Sequence, residues 1–380
     1  MPGPAGSPPA PAAPALTAEL VTDPDEFAAL AVPWTRLFGR CGAATPFQSH
    51  AWLHSWWLSY GTPGRLRLLL VREGGEREGG ELVAAAPLML RRTPVPALVP
   101  LGGAISDHAD VLLDDHRADR AAGMLAGALS RAARTALVDF REVRPGSAVE
   151  HVYARWGGPR HRVPDSPCLE LPALPMDDLL ARLPSAKAQR VRAKLRRLRS
   201  LGVRRRVVPP EEAGAALRRL LALHRLQWQG RAVTPEHLRP RFQEHLVRAA
   251  EPMVRAGQAV VTEFRLDGEV VAVDLTLLSP RLAGGYLYGA HPCLRERKAD
   301  VAVMLLDACA GHLCGGGPDT LSLLRGDEPY KHHWRPRPVV NERLLLARRR
   351  TAPLLSAALC EDAVRRRAKA LLRREGGPGA

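Results

Sequence analysis

Apolar residues fall in short dense runs separated by Gly, Pro and charged residues, and two stretches of the chain repeat one order of runs. In the first, Arg65–Val71 and Glu81–Arg91 read as strands joined by a Gly- and Glu-rich turn. A strand at Asp110–Leu113, an Ala-rich helix near Arg120–Arg134 and a strand at Ala136–Val143 are predicted next. In the second, Ala259–Leu266 and Glu269–Leu278 flank Asp267-Gly268, a dipeptide suited to a tight hairpin. A strand at Gly285–Gly289, a helix near Ala299–His312 and a strand at Thr320–Leu324 follow. Hairpin, strand, helix, strand occurs twice. This predicts an α/β fold of tandem units, with mixed sheets flanked by helices. Identity between the halves is negligible, so the inference rests on pattern alone.

Helical periodicity fills the gap between the units. Leu183–Leu201 places Val191, Leu195, Leu198 and Leu201 on one face and Arg and Lys on the other, with Gly202 as C-cap. Pro210–Gln229 repeats Leu217, Leu220, Leu221 and Leu223 before His224 and Trp228. A basic amphipathic helix is predicted at Ala352–Arg374, ahead of a loose Gly-Gly-Pro-Gly-Ala tail. The layout expected is a leader at 1–16, a first unit at 17–175, a second at 176–350 with its basic helix at 183–201, and a helical tail at 351–380.

The 380 residues suit two domains, and 46% hydrophobic content supports real cores. Residues 1–16 are almost all Pro, Ala and Gly, which reads as a flexible leader and lacks the basic start of a secretory signal. No window approaches the about 18 consecutive apolar residues of a membrane-spanning helix, so a soluble, cytoplasmic protein is expected. Six scattered cysteines contain no Cys-x-x-Cys, and the 13 histidines form no His-Glu-x-x-His, so neither disulfides nor a metal is expected. Net charge is +16, which favours phosphate-bearing partners, although GC-rich codon usage inflates arginine everywhere. Position says more than the total: eleven basic residues and no acid lie between Arg182 and Arg206.

One segment concentrates ionisable side chains. Leu324-Arg325-Gly326-Asp327-Glu328-Pro329-Tyr330-Lys331-His332-His333-Trp334 follows the last predicted strand of the second unit, punctuated by Gly326 and Pro329. Lys331 is one of only five lysines beside 50 arginines, so a lysine at this place has a better claim to a specific task.

An ordered set of short motifs resembles the CelD-like acyltransferases of the GNAT superfamily, relatives of the Fem aminoacyl transferases. The set runs from Trp34 and Leu37 through Pro46-Phe47-Gln48-Ser49-His50-Ala51-Trp52, Trp56-Trp57, Ala86-Pro87-Leu88, Leu101-Gly102-Gly103 and Asp107–Asp110. It continues with Leu183-Pro184, Leu223-His224 with Trp228, Leu266-Asp267-Gly268 with Val271-Ala272, Tyr288-Gly289, and Leu324 to Lys331. The resemblance spans roughly Leu30 to Leu346 and implies two GNAT-like units with acyl-CoA or acetyl-CoA as co-substrate. The family's Ser-Pro-Gly turn, where GNAT proteins bind the coenzyme A pyrophosphate on free backbone N–H groups, is here Lys298-Ala299-Asp300. Asp300 would repel that anion, while Arg295, Arg297 and Lys298 offset it. Ser322-Leu323 replaces the family's Asp-Phe. The cofactor-binding candidates are Arg325, Arg297, Lys298 and Val301.

Acyl transfer to an amine needs a proton acceptor, alignment of the reactants and a donor to the carbonyl oxygen. Asp327 or Glu328 can accept the proton or bind the ammonium. Tyr330 can protonate a leaving thiolate, and Lys331 or Arg325 can neutralise a phosphate or oxyanion. Against this stands a plainer reading in which Arg325 and Asp327 order the loop and Tyr330 fills the core. His224 suits a general base, although a histidine on such a leucine-rich helix is more often a satisfied core or rim residue. Of His332 and His333, at most one faces the site. Trp52, Trp56 and Trp57 have helical spacing and read as core rather than a substrate shelf. No glycine-framed nucleophile, Walker loop or Gly-x-Gly-x-x-Gly occurs, against a covalent acyl-enzyme, nucleotide hydrolysis and dinucleotide binding.

Three functions fit, in this order. The first is an N-acyltransferase that moves an acyl group from acyl-CoA to an amine of a small molecule or sugar. The second is a Fem-like aminoacyltransferase whose Arg182–Arg206 segment holds tRNA. The third is a non-catalytic binding protein on a GNAT fold. The sequence names neither the acceptor nor the oligomeric state.

Overall fold

The computed structural model describes residues 14–74, 80–227, 229, 234–313 and 317–375. Trp228, Cys314, most of the predicted leader and the Gly-rich tail lie outside the described residues. The first unit comprises β1 (Leu16–Val21), α1 (Pro24–Ala29), α2 (Ala31–Arg40), α3 (His50–Tyr60), β2 (Leu66–Glu73), β3 (Glu81–Arg91), β4 (Ala97–Pro100), β5 (Leu112–Leu113), α4 (Ala118–Ala132), β6 (Leu137–Val143), α5 (Val149–Ala154) and β7 (Arg160–Pro172). The second comprises α6 (Met176–Ala181), α7 (Ser185–Ser200), β8 (Arg204–Val207), α8 (Pro210–Gln227), α9 (Pro240–Arg255), β9 (Ala259–Leu266), β10 (Glu269–Leu278), β11 (Leu282–Ala290), α10 (Cys293–Glu296), α11 (Val301–Gly311), β12 (Thr320–Arg325) and β13 (Arg337–Leu346). α12 (Ala352–Glu375) follows.

The α/β expectation holds, with one difference in how the units meet. Their strands join in a single mixed sheet of order β1-β2-β3-β4-β6-β13-β7-β12-β11-β10-β9-β8, and β5 pairs with β3 off this path. Each unit repeats an antiparallel hairpin, a third strand, a crossover helix and a fourth strand parallel to the third. In the first these are β2, β3, β4, α4 and β6; in the second, β9, β10, β11, α11 and β12. The units then exchange their last strands. β7 pairs with β12, β13 pairs with β6, and β7 and β13 pair with each other along nine registered positions.

Sequence reasoning missed β7 and β13, and the reason is physical. β7 carries Pro164 and Pro167 inside the sheet, where a missing N–H normally argues against a strand. They sit opposite Glu342 and Val340, where a register shift interrupts the ladder. The strand predicted at Asp110–Leu113 also needs correction. Only Leu112–Leu113 is extended in the sheet, and the repeat's third strand is β4, masked in sequence by Pro94, Pro96 and Pro100. The Asp110 carboxylate instead accepts backbone N–H bonds from Val111, Ala148 and Val149 at 2.8, 2.8 and 2.7 Å. The predicted leader is too long at its end, because Leu16 already pairs with Glu73 in the sheet.

The Asp267-Gly268 turn has φ of 54° and 87°, the two left-handed residues that a tight hairpin requires. Ser49 caps α3, and Trp52, Trp56 and Trp57 are buried, as their spacing predicts. α3 packs on α9 across the units, with Ser55 Oγ donating to the His245 carbonyl at 2.8 Å. α7 buries Ala188, Val191, Leu195 and Leu198 and keeps its arginines outside. No helix among the described residues is long and apolar enough to cross a membrane.

Candidate active site

The site grows out of one irregularity in the sheet. β11 and β12 pair in parallel only from Leu282↔Thr320 to Gly284↔Ser322, after which no pairing holds them together. A cavity of about 490 Å³ opens in this split. β10 and β11 form its floor, α11 one wall, α8 another, and the 326–334 loop its rim.

Gly289 sets how closely α8 approaches. A Cβ there would lie 2.3 Å from the Leu220 carbonyl oxygen and 2.5 Å from the His224 nitrogen, so only glycine lets helix and strand meet. That contact brings His224 to the cavity, where its Nδ1–H donates to the Tyr288 carbonyl at 2.8 Å. The bond fixes the tautomer and leaves the lone pair on Nε2. Burial lowers the pKa of His224, so the ring is neutral at pH 7. His237 lines the same wall, stacked on Phe242, and burial with the neighbouring His224 lowers its pKa to about 4.

The residue that sequence reasoning missed is Asp274. It sits on β10, 4% exposed, and faces the cavity with Thr276 Oγ1 as the one hydroxyl donating to it, at 2.8 Å. Desolvation raises its pKa to about 7, against the pull of the Thr276 bond. A signal was present. Val-Val-Ala-Val-Asp-Leu-Thr-Leu-Leu is a buried strand, and an acid within such a run needs a reason. Cys309 and Ser322 also line the cavity. Burial, with Asp274 nearby, raises the Cys309 thiol to about 12, and Ser322 Oγ accepts from the Leu324 N–H at 3.0 Å.

The loop residues divide. Tyr330, Lys331 and Glu328 line the cavity. Partial desolvation at the rim, where Tyr330 is still 54% exposed, then Glu328 and Tyr288, raises its pKa to about 12, so its phenol stays protonated. Lys331 is 6% exposed and donates to the Arg325 carbonyl at 2.8 Å while pairing with Glu328 at 2.7 Å. Asp327 turns outward and pairs with His332 at 2.5 Å, and neither lines the cavity. Arg325 leaves the site altogether. Leu324, at φ 59°, redirects the chain so that Arg325 reaches the first unit, binding Asp107 at 2.5 Å, Glu142 at 3.2 Å and the Ala104 carbonyl at 2.6 Å. It fastens the rim to the neighbouring unit instead of meeting a phosphate.

The cofactor-binding candidates are dispersed as well. Arg297 pairs with Asp267 at 2.9 Å on the hairpin, and Lys298, at φ 57°, forms the turn before α11. Neither lines the cavity. Val301 is the first residue of α11, and Asp300 caps it by accepting from the Val303 N–H at 3.0 Å while pairing with Lys194 at 2.7 Å. The helix terminus is thus already served by an intrinsic carboxylate.

Residues 185–332 match the model of the acetyltransferase (GNAT) domain family. This segment runs from the start of α7 to the loop at the cavity rim. It carries a GNAT-type acyltransferase domain. Among solved structures the chain is similar to FemX, at 11% identity, TM-score 0.60, covering 89% of this chain and 99% of that one. L-PGS from Bacillus licheniformis is similar at 13% identity and TM-score 0.52, covering 88% and 95%. A conserved protein of unknown function from Bacteroides thetaiotaomicron follows at 12% identity and TM-score 0.54, covering 87% and 100%. These likenesses show a shared fold. No sequence among the curated proteins matches the chain.

Proposed function

We propose that the protein is an N-acyltransferase that moves an acyl group from acyl-CoA to an amine of a small molecule or sugar by direct attack in the β11/β12 split. The observation that carries this reading is a cavity between parallel strands, open at its rim, that offers a buried carboxyl, Asp274, and a protonated phenol, Tyr330, while the one described cysteine in its lining, Cys309, is held as the thiol. The amine nitrogen attacks the carbonyl carbon, a C–N bond forms and the bond to sulfur breaks. Asp274 takes the proton from nitrogen and Tyr330 gives one to the leaving sulfur, so the net exchange is one hydrogen from amine to thiol. Neutral His224 and His237 orient the amine, and the ion pair of Glu328 and Lys331 lies at the rim, where Glu328 can exchange Lys331 for the incoming ammonium ion. This assignment replaces Asp327 with Asp274 as the base, and it fits the CelD-like branch that the motifs resemble.

One observation favours a second reading, a Fem-like transfer from aminoacyl-tRNA. Asp300 occupies the helix start where a GNAT protein would receive a pyrophosphate, while α7 offers cations for an RNA backbone. Either donor passes the same carbonyl chemistry to the same cavity.

Asp274→Asn tests the reading. Transfer should fall by roughly 10²–10⁴-fold, while acetyl-CoA at millimolar concentration still raises the melting temperature by mass action. The native rate should climb with pH and level off above about 7, as Asp274 ionises. Stability runs the other way. A carboxyl whose folded pKa is raised stabilises the protein below its ordinary value of 3.8 and loses that contribution as pH rises to about 7. Asp274→Asn should therefore gain stability relative to the native protein across that window. An Asp274→Asn protein that keeps more than a tenth of the native rate would remove Asp274 from the mechanism.

A further inference from the structure

A second cavity of about 370 Å³ adjoins the first, sharing Ala302, Tyr330 and Trp334 as lining. Its other wall is α7, which presents Lys187, Arg190 and Lys194 at three- and four-residue spacing along one face. Across from them lies the start of α11. Of the cations, Lys194 is neutralised by Asp300 at 2.7 Å. Lys187 and Arg190 have no ion-pair partner among the described residues. Asp300 is the one acid in the lining, so the cavity keeps two uncompensated positive charges beside the rim of the reaction chamber. Elsewhere arginines of the same basic run are spent internally: Arg206 on Glu212 and Glu263, and Arg197 on the Arg297 carbonyl.

We infer that this α7 cavity is the seat for the phosphates of the acyl donor. Resting on the reading above, it assigns the donor a bipartite site. The acyl end enters the β11/β12 chamber past Tyr330 and Trp334, and the phosphate-bearing end is held by Lys187 and Arg190. The phosphates are displaced onto α7 because the N-terminus of α11 already binds its own carboxylate. Both cations lie on a helix that precedes the second unit's sheet, a place where the resemblance assigns no contact. Titratable groups on the remaining elements around the cavity are Asp300 on the turn before α11 and Tyr330 and His333 on the rim.

The test is equilibrium binding to the full chain and to Lys187→Glu/Arg190→Glu, using acetyl-CoA, S-acetylpantetheine, which carries no phosphate, and an RNA minihelix ending in single-stranded CCA. Charge reversal should weaken acetyl-CoA at least about tenfold, since each lost charge-assisted hydrogen bond is worth roughly that factor, and leave S-acetylpantetheine unchanged. Weakening of the minihelix in place of acetyl-CoA supports the same seat with RNA as its source. Lys187→Gln/Arg190→Gln should show a smaller loss in the same sense, with an unchanged helical spectrum. Arg192→Glu/Arg196→Glu reverses charge on the outer part of α7 and should leave acetyl-CoA affinity within about twofold. Equal weakening by that control would mean a diffuse field and would overturn the assignment. Phosphate carriers that bind native protein and Lys187→Glu/Arg190→Glu alike would overturn it while leaving the acyltransferase reading intact. A native protein that binds none of the three would end both.

Discussion

The two units build the same parallel split and use it in opposite ways. In the first, β4 and β6 pair through Ala97↔Leu137 and Leu98↔Val138 and then part. At the paired end α12 lays Leu355 and Ala358 over Ala97, Leu137 and Leu345, and just beyond it Asp139 on β6 binds Arg343 at 2.8 and 2.9 Å and Arg91 at 3.1 Å. Against the burial that would raise it, these guanidiniums hold the Asp139 carboxyl below its ordinary pKa and ionised at pH 7. In the second unit the split stays open, and Asp274 has a hydroxyl donor and no guanidinium beside it. A buried acid surrounded by arginine is a structural part, whereas one left with a single neutral donor near pH 7 can trade protons. The topology repeats; under the proposed function, the electrostatics decide which copy does chemistry.

Filling the open split should have the largest effect. Gly285 lines the chamber, and a Cβ built there meets no atom nearer than the Asp274 carboxylate oxygen at 4.0 Å, so Gly285→Phe occupies space without a backbone clash. Transfer should fall by about a hundredfold or more, since misplacement of about 1 Å already costs that much, with little change in melting temperature. An active Gly285→Phe protein would break the comparison at its stronger end. The mirror change, Asp139→Asn, removes the bidentate partner of Arg343, which keeps Asp362 at 3.4 Å, and should cost up to roughly 3–5 kcal/mol in denaturant unfolding, with transfer per folded molecule unaltered. If it lowers the turnover of folded protein instead, the first unit is not merely structural. The smallest effect belongs to Asp327→Ala. Its carboxylate is 64% exposed and, among the described residues, pairs only with His332, so stability should move by less than about 0.5 kcal/mol and transfer by less than about twofold.

Much of this was legible in the chain. The hairpin at Asp267-Gly268, the crossover helices and the basic helix all follow from local signals that the folded protein keeps. The exchanged strands were not legible, because β7 reads as a proline-broken segment and finds its partners β12 and β13 more than a hundred residues away. The 324–334 block was the right neighbourhood for the cavity rim, since Glu328, Tyr330 and Lys331 line it. The roles within it were not readable, because they depend on direction. A left-handed Leu324 sends Arg325 into the first unit, and an outward turn takes Asp327 away from the cavity. Asp274 shows the reverse case. Its signal, one acid in an apolar strand, was visible but carried no motif, and only the split between β11 and β12 gives it a task.

The central claim is that the second split, and not the first, receives the acyl group. Photo-crosslinking with a diazirine-tailed acyl-CoA, followed by peptide mapping, tests it in one measurement. The account predicts label on peptides covering 282–290 and 320–334. Label on 97–110 or 137–143, or no saturable labelling at all, would contradict it.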